Sequence, residues 1–334
     1  MMSVWSSLVG QDAAVAKLSE AAASARAIVA SRGSGHATDE ARSMSHAWLI
    51  TGPPGSGRSV AARAFAAALQ CTGETPGCGA CPGCRTTMGR TNADVLFAAT
   101  ETSIINVDTA RSLVLQAQSS PSQGLWRVIV VEDADRLGES GANALLKAIE
   151  EPPEHTVWLL CAPSPEDMIA TVRSRCRHLG LRIPTAAAVA DLLVREGVAS
   201  PEVALEAARA AQSHIGLARA LARDPQMRAR RRDIITAPAS VRSVGEAVMA
   251  ADRLLETAKA QADAQVSERN AREKAELMRQ LGMEEGESAT KASRTMIRQL
   301  EEDQKRRSKR ALTDAIDRAL IDLLAIYRDV LMVQ

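Results

Sequence analysis

The stretch Gly52-Pro-Pro-Gly-Ser-Gly-Arg-Ser59 constrains this chain more than any other. A short apolar run, Trp48-Leu-Ile-Thr51, precedes it, and an alanine-rich segment, Val60 to Leu69, follows. That order reads as strand, glycine-rich loop, helix. The glycines let backbone N–H groups close round phosphate oxygens, and the helix N-terminus adds partial positive charge. The spacing is that of a P-loop, with Gly52, Gly55, Ser56, Gly57, Arg58 and Ser59 as candidate phosphate-binding residues. Arg58 stands where the pattern has lysine. A guanidinium is a broad planar fork, not the compact charge that reaches the β- and γ-phosphates. The loop is therefore expected to form with altered chemistry.

The rest of the pattern says what the loop is built into. Asn92-Ala-Asp-Val-Leu-Phe97 is a short strand candidate. Val107 to Gln118 has Val107, Ala110, Val114 and Ala117 on one helical face. Trp126-Arg-Val-Ile-Val-Val131 and Thr156-Val-Trp-Leu-Leu-Cys161 are nearly continuous apolar runs, as expected of strands buried on both faces of a parallel sheet. Between them Ser140 to Glu150 is helical, with Ala142, Leu145, Leu146 and Ile149 inward, and Pro152-Pro153 stops it. Strands alternating with helices predict a doubly wound α/β domain.

From Pro184 onward no strand pattern is convincing. Ala186 to Glu196, Pro201 to Ala211 and Ser213 to Arg223 are expected helices. Beyond Ala237-Pro238 the chain is helical again, highly charged from Lys259 to Arg310, with a break at Gly282 to Gly286. Ile316, Leu320, Leu323, Tyr327 and Leu331 recur at helical spacing. The last helix reaches Gln334 without a capping signal, so the sequence is expected to stop short of the natural terminus. Arg32 to Met44, rich in Gly, Ser and His, is an expected surface loop. A chain of 334 residues exceeds one compact domain. The expected division is 1–182 for the P-loop domain, 183–234 for a small helical domain and 235–334 for a C-terminal helical domain.

Net charge is +1, so no global field drives the chain onto nucleic acid or membrane. Two basic runs, Arg228 to Arg232 and Lys305 to Arg310, lack interleaved aromatics and read as solvated helix faces. Met1 to Trp5 carries no signal-peptide pattern, and no apolar run has membrane-spanning length. A cytoplasmic location is expected.

Two further groups carry chemistry. Glu132-Asp-Ala-Asp135 ends the second apolar strand, where a P-loop NTPase holds Mg²⁺ and activates water; Glu132 and Asp133 are the candidates, in reversed order. Cys71, Cys78, Cys81 and Cys84 have the spacing of a four-thiolate zinc site in a Gly/Pro-rich loop. Two disulfides are the alternative, disfavoured by the expected compartment. Cys161 and Cys176 fall outside that spacing and read as buried thiols.

Four stretches together resemble the bacterial clamp-loader subunits of the AAA+ class. They are Leu8-Val-Gly-Gln11, the P-loop with its four-cysteine insert, Ala144-Leu-Leu-Lys-Ala-Ile-Glu-Glu-Pro-Pro153, and Ser174-Arg-Cys176. The resemblance implies an AAA+ P-loop domain with a zinc-binding insert, a helical lid and an all-helical collar. Within the family the chain is more similar to the delta-prime branch than to the gamma/tau ATPases, because it departs where those keep their chemistry. Arg58 replaces lysine, and Glu132-Asp133 replaces Asp-Glu. Ser164 is the one polar residue after the Thr156–Cys161 strand that could act as a sensor. Gly216 falls at the lid arginine, with Arg219 a turn further on.

The resemblance further implies that Arg175 reaches across a subunit interface as an arginine finger. Zn²⁺ would be structural, and ATP/Mg²⁺ would be bound, if at all, without hydrolysis. The partners implied are gamma/tau-like ATPases and a delta-like subunit in a hetero-pentamer, and through it the sliding clamp and primer-template DNA. The parent holoenzyme would be a DNA-directed DNA polymerase, a nucleotidyltransferase, while this chain would make no DNA. Two other readings stay open: an active gamma/tau-like ATPase, and a zinc-dependent nucleic-acid-binding module.

Overall fold

The computed structural model describes residues 3–31, 43–98, 104–280 and 291–333. Most of the expected Arg32–Met44 loop (residues 32–42) and all of the Gly282–Gly286 break lie outside them. The chain divides into two compact units between Arg223 and Asp224.

The first unit is built on five parallel strands: β1 (Ala47–Thr51), β2 (Val95–Ala98), β3 (Arg127–Val131), β4 (Thr156–Ala162) and β5 (Arg177–Gly180), in the order β2-β3-β4-β1-β5. Its helices are α1 (Asp12–Ala30), α2 (Arg58–Leu69), α3 (Pro82–Met88), α4 (Val107–Ala117), α5 (Glu139–Glu150), α6 (Ala170–Arg173), α7 (Ala186–Arg195), α8 (Pro201–Ala210) and α9 (Ile215–Arg223). Every residue of β1 and β4 is buried, as parallel central strands require. Trp48, Ile50, Val130, Leu159 and Cys161 pack with α1 and α2 on one face. Leu49, Ile129, Val131, Trp158 and Leu160 pack with α4 and α5 on the other.

Helix α2 is buried along most of its length by Ala61, Ala62, Ala64, Phe65, Ala66, Ala67, Ala68 and Leu69. Small side chains let its backbone lie close to the sheet, and Phe65 meets Trp48 edge to face at 5.3 Å between centroids. The α4 face turns slightly from its expected position. Leu113 is buried beside Ala110 and Ala117, while Val107 and Val114 are half-buried.

Strand β5 has no counterpart in the sequence reading, which ends the sheet at the Thr156–Cys161 run. Its sequence, Arg-His-Leu-Gly, contains one apolar side chain, Leu179, and that one is buried. An edge strand needs one inward residue and a ladder partner, not an apolar run. Here β1 supplies the ladder, and the Arg177 guanidinium lies 5.0 Å over the Trp48 ring.

Asp94, before β2, is fully buried. Its carboxylate accepts from Ser122 N (2.6 Å), Ser122 Oγ (2.9 Å), Gln123 N (2.8 Å) and Gly124 N (2.6 Å), with Arg127 at 3.7 Å. It thereby fixes the loop that feeds β3. Helices α7, α8 and α9 form a small bundle around Val189, Leu192, Leu193, Ala204, Ala208 and Leu221.

The second unit contains α10 (Pro225–Ser240), α11 (Val244–Gln280) and α12 (Lys291–Val333). Pro238 lies inside the last turn of α10, so helix continues past Ala237-Pro238 for two residues. Helices α11 and α12 run antiparallel through a small core of Ala258, Ala262, Val266, Ala311 and Ala315. The basic runs are not wholly solvated faces. Arg231 pairs with Asp322 at 3.0 Å, and Arg307 reaches Glu273 and Asn270, each at 2.8 Å. Leu320, Leu324, Tyr327 and Leu331 leave an exposed apolar stripe on α12. No described helix is long and apolar enough to cross a membrane.

Burial opposes ionisation of Asp94, but the Ser122, Gln123 and Gly124 donors outweigh it and hold the carboxyl below the usual carboxylate range. The unfolded state then binds the proton more tightly. The contribution is therefore complete above the unfolded value and is lost as pH falls through the folded one. Asp94→Asn is expected to cost about 3 kcal/mol at neutral pH, because two or more buried donors lose a charged acceptor. Urea unfolding checks this: the gap between wild type and variant narrows as pH is lowered below about 4.

Candidate functional site

The P-loop leaves the C-terminal end of β1, next to the centre of the sheet. Gly55 and Gly57 both adopt φ +91°, a left-handed conformation open to glycine. A Cβ on Gly55 would come within 2.9 Å of His214 Cα, so the loop packs closely on the turn before α9. Gly57 is the N-cap of α2 and offers no side-chain cap, which leaves the first helical N–H groups free for an anion. Ser56 is buried, and Ser59 lies in the first turn. Gln11 braces the loop from below: its Nε2 donates to Ser56 O (3.2 Å) and Arg182 O (2.6 Å), and its Oε1 accepts from Arg182 N (3.2 Å). Thr51, the last residue of β1, has its Oγ1 2.6 Å from His178 Nε2 on β5. Arg58 does not project across the loop; it folds back and donates to the Gly52 carbonyl.

Glu132 and Asp133 lie at the same end of the sheet, just past β3, and Glu132 N donates to Ala98 O at 3.0 Å. The Glu132 carboxylate is 2.5 Å from the Arg90 guanidinium. Burial first, and then Asp133, raise the Asp135 carboxyl above its ordinary value. Ser164 bonds Glu166 and caps its own short turn. Gly216 abuts the His214 ring, and Arg219 is held by Glu196 through two bonds of 2.8 and 2.9 Å.

Cys71, Cys78, Cys81 and Cys84 come together at the C-terminal end of α2 and the start of α3. Their Sγ atoms all lie within 4.8 Å of one another, and none is in a disulfide. Cys71 and Cys81 Sγ are 3.8 Å apart, the edge of a tetrahedron with metal–sulfur bonds of about 2.3 Å. Backbone N–H groups of Ala80 and Cys81 point at Cys78 Sγ, and that of Cys84 at Cys81 Sγ, all at 3.4 Å. Burial opposes ionisation of Cys81, yet the Cys84 and Thr72 donors draw it down to about 6. Cys161 and Cys176 lie elsewhere, and burial pushes both thiols up to about 12.

Arg175 follows α6. It donates from Nε to Glu150, at the end of α5, and from Nη1 to Thr171 O (2.8 Å). Its side chain is 38% exposed, so the guanidinium is ordered and still accessible from outside. The structure thus brings the P-loop and the acidic pair to one sheet end, assembles the cysteines beside α2 and places Arg175 apart on the surface. Arg90, Glu150, Gln11 and His178 received no role from the sequence. Gln11 and Glu150 lie inside stretches that resemble family motifs, whereas Arg90 and His178 carry no local signal.

The sequence profile of a family described as DNA polymerase III, delta subunit, matches residues 36–185. That span holds the P-loop, all four clustered cysteines, Glu132-Asp133 and Arg175. The gamma/tau subunit of DNA polymerase III from Mycobacterium tuberculosis (strain ATCC 25618 / H37Rv) is 35% identical over 162 residues, 47% of this chain and 28% of that protein. The delta' subunit from Escherichia coli (strain K12) is 34% identical over 191 residues, 55% of this chain and 57% of that one. The delta' subunit from Pseudomonas aeruginosa is 34% identical over 165 residues, covering 48% and 50%. The chain spans about half the length of the delta' relatives and less of the gamma/tau protein. The parallel sheet and its glycine-rich loop define a P-loop α/β protein. Over the matched span the chain is similar to DNA polymerase III subunits, and its likeness extends to delta' and gamma/tau subunits alike.

The four sulfurs are expected to take one tetrahedral divalent ion per chain. X-ray absorption on zinc-loaded protein should show four sulfurs at about 2.3 Å. Cys81→Ser should reduce the sulfur count to three.

Proposed function

We propose that this chain is a delta-prime-like subunit of a replicative clamp loader: a stationary element that supplies Arg175 to the ATP of a neighbouring subunit. The observation that carries this is a contrast between two arginines. Arg58, where a phosphate-binding lysine would act, is turned onto the Gly52 carbonyl of its own loop. Arg175 sits accessible on the surface, its planar group oriented by Glu150. A fixed guanidinium needs little reorganisation to meet charge that develops on a neighbour's phosphoryl group.

In this function the chain binds nucleotide without turning it over, and bound ATP adds stability by mass action. Zn²⁺ on Cys71, Cys78, Cys81 and Cys84 is structural, since four sulfurs leave no open position. The exposed stripe of Leu320, Leu324, Tyr327 and Leu331 supports a collar role for the C-terminal helices, packed against gamma/tau-like and delta-like subunits in a cytoplasmic hetero-pentamer. That assembly opens the sliding clamp and places it on primed DNA. The 35% identity to a gamma/tau subunit supports a second reading, an active ATPase in its own right.

One reconstitution separates the two. In the assembled loader, Arg175→Ala is expected to slow ATP turnover at the adjacent site by about 10³–10⁵-fold, the range of a lost arginine finger. The isolated chain should show no steady turnover. Turnover by the isolated chain that disappears in Asp133→Ala would establish the ATPase reading instead.

A further inference from the structure

P-loop folds of this kind imply a divalent cation at the acidic strand end, and the residues present do not fit one. Glu132, the first carboxylate after β3, already has a cationic partner 2.5 Å away in Arg90. With 12% of its side chain exposed, it keeps little surface for another ligand.

Arg90 is placed there with care. It follows α3, the helix that carries Cys84, and takes φ +59°, a conformation uncommon for any residue but glycine. Its backbone N–H is bonded to Thr87 O at 3.0 Å. Its guanidinium lies 4.9 Å over the Phe97 ring, which holds the flat face while the edge meets Glu132. The positive φ, the backbone bond and the ring contact together aim one side chain from the turn after α3 at the end of β3.

The wider charge balance points the same way. Arg63 of α2 is also in this cluster: burial and then Arg90 lower its pKa, against the pull of Glu132. Arg58 and Arg136 act on Asp135, and Asp133 lies beside it. Arg90 is thus in contact with Glu132, while Arg58 and Arg136 offset the charge on Asp135. A hard divalent ion needs a surplus of anionic oxygen, which is lacking here.

We infer that Arg90 is the resident cation of this site: it takes the place of the divalent metal at Glu132, so that any nucleotide held by Gly52–Ser59 is held without metal. The cysteine module acquires a second role, since the α3 turn that it shapes delivers the blocking guanidinium. The inference rests on the P-loop placement of Glu132 and does not involve Arg175, so the assay for a trans arginine can succeed or fail independently of it.

The test uses Mn²⁺ as probe on the full, zinc-loaded chain, read by loss of the free-ion electron paramagnetic resonance signal. Wild type and Arg90→Lys, which keeps a cation, should show no Glu132-dependent site. Arg90→Gln should gain a site at least about tenfold tighter, equivalent to about 1.4 kcal/mol. Adding Glu132→Gln should abolish the gain. Zinc content and the Co²⁺-substituted thiolate spectrum, unchanged in each variant, show that the module is intact. A Glu132-dependent Mn²⁺ site already present in wild type, or no gain in Arg90→Gln, overturns the inference.

Discussion

The close approach of α2 to the sheet is the constraint on which the rest depends. Six alanines in that one helix remove the side-chain bulk that would hold its backbone away. With α2 so near, its N-terminus meets the end of β1 through the glycine-rich turn. Its C-terminus delivers Cys71 to a cluster completed by the following loop and α3. One rigid, twelve-residue rod therefore fixes the distance between the glycine-rich loop and the cysteine cluster. A larger residue at Ala61, Ala64 or Ala67, each fully buried, would have to push α2 off the sheet and would disturb both ends together.

This arrangement explains why charge at the sheet end is handled by arginine. Carboxylates gathered past β3 are partly desolvated and repel one another, and burial together with Asp133 already raises the Asp135 carboxyl. An ordinary motor subunit of this fold class relieves such repulsion with a divalent ion. Here guanidinium groups from α2 and from the turn after α3 are built in. A guanidinium spreads its charge and is weakly hydrated, so it tolerates partial burial better than an ammonium. Arg58 fits the same logic. Once turned to the Gly52 carbonyl it serves the loop's own structure, and it is no longer the point charge that tracks a transferring phosphate.

Much of this was legible in the sequence because the signals were local. Apolar runs that need burial on both faces gave β3 and β4, and glycine spacing gave the P-loop. Cysteine spacing gave the cluster. What the sequence concealed was set by tertiary pairing. Strand β5 has a single inward residue and exists because β1 offers a ladder. The α4 face shifted toward Leu113 because the packed neighbour, not the helical wheel, chooses the buried side. Arg90 and Glu132 are separated by 42 positions, and neither neighbourhood announces the other. Arg231 and Arg307 looked like solvated charges until helices from elsewhere in the chain brought Asp322 and Glu273 to them.

The same distinction bears on Arg175. Its motif is a local signal, but the geometry that would make it useful is not. Glu150 ends α5 just before the two prolines that stop that helix, and this places a carboxylate beside the guanidinium across a gap of 25 residues. Half-exposed on both sides, the pair contributes little to folding stability by itself, since solvent screens it. Its effect is orientational: a long, flexible side chain is held in one planar pose at modest energetic cost. The pair can also be broken cheaply when a stronger anion is presented. An arginine buried and fully satisfied within its own subunit could not make that exchange, and one left unrestrained would lose more entropy in making it. A weak tether at the surface is the arrangement that the proposed trans role of Arg175 requires.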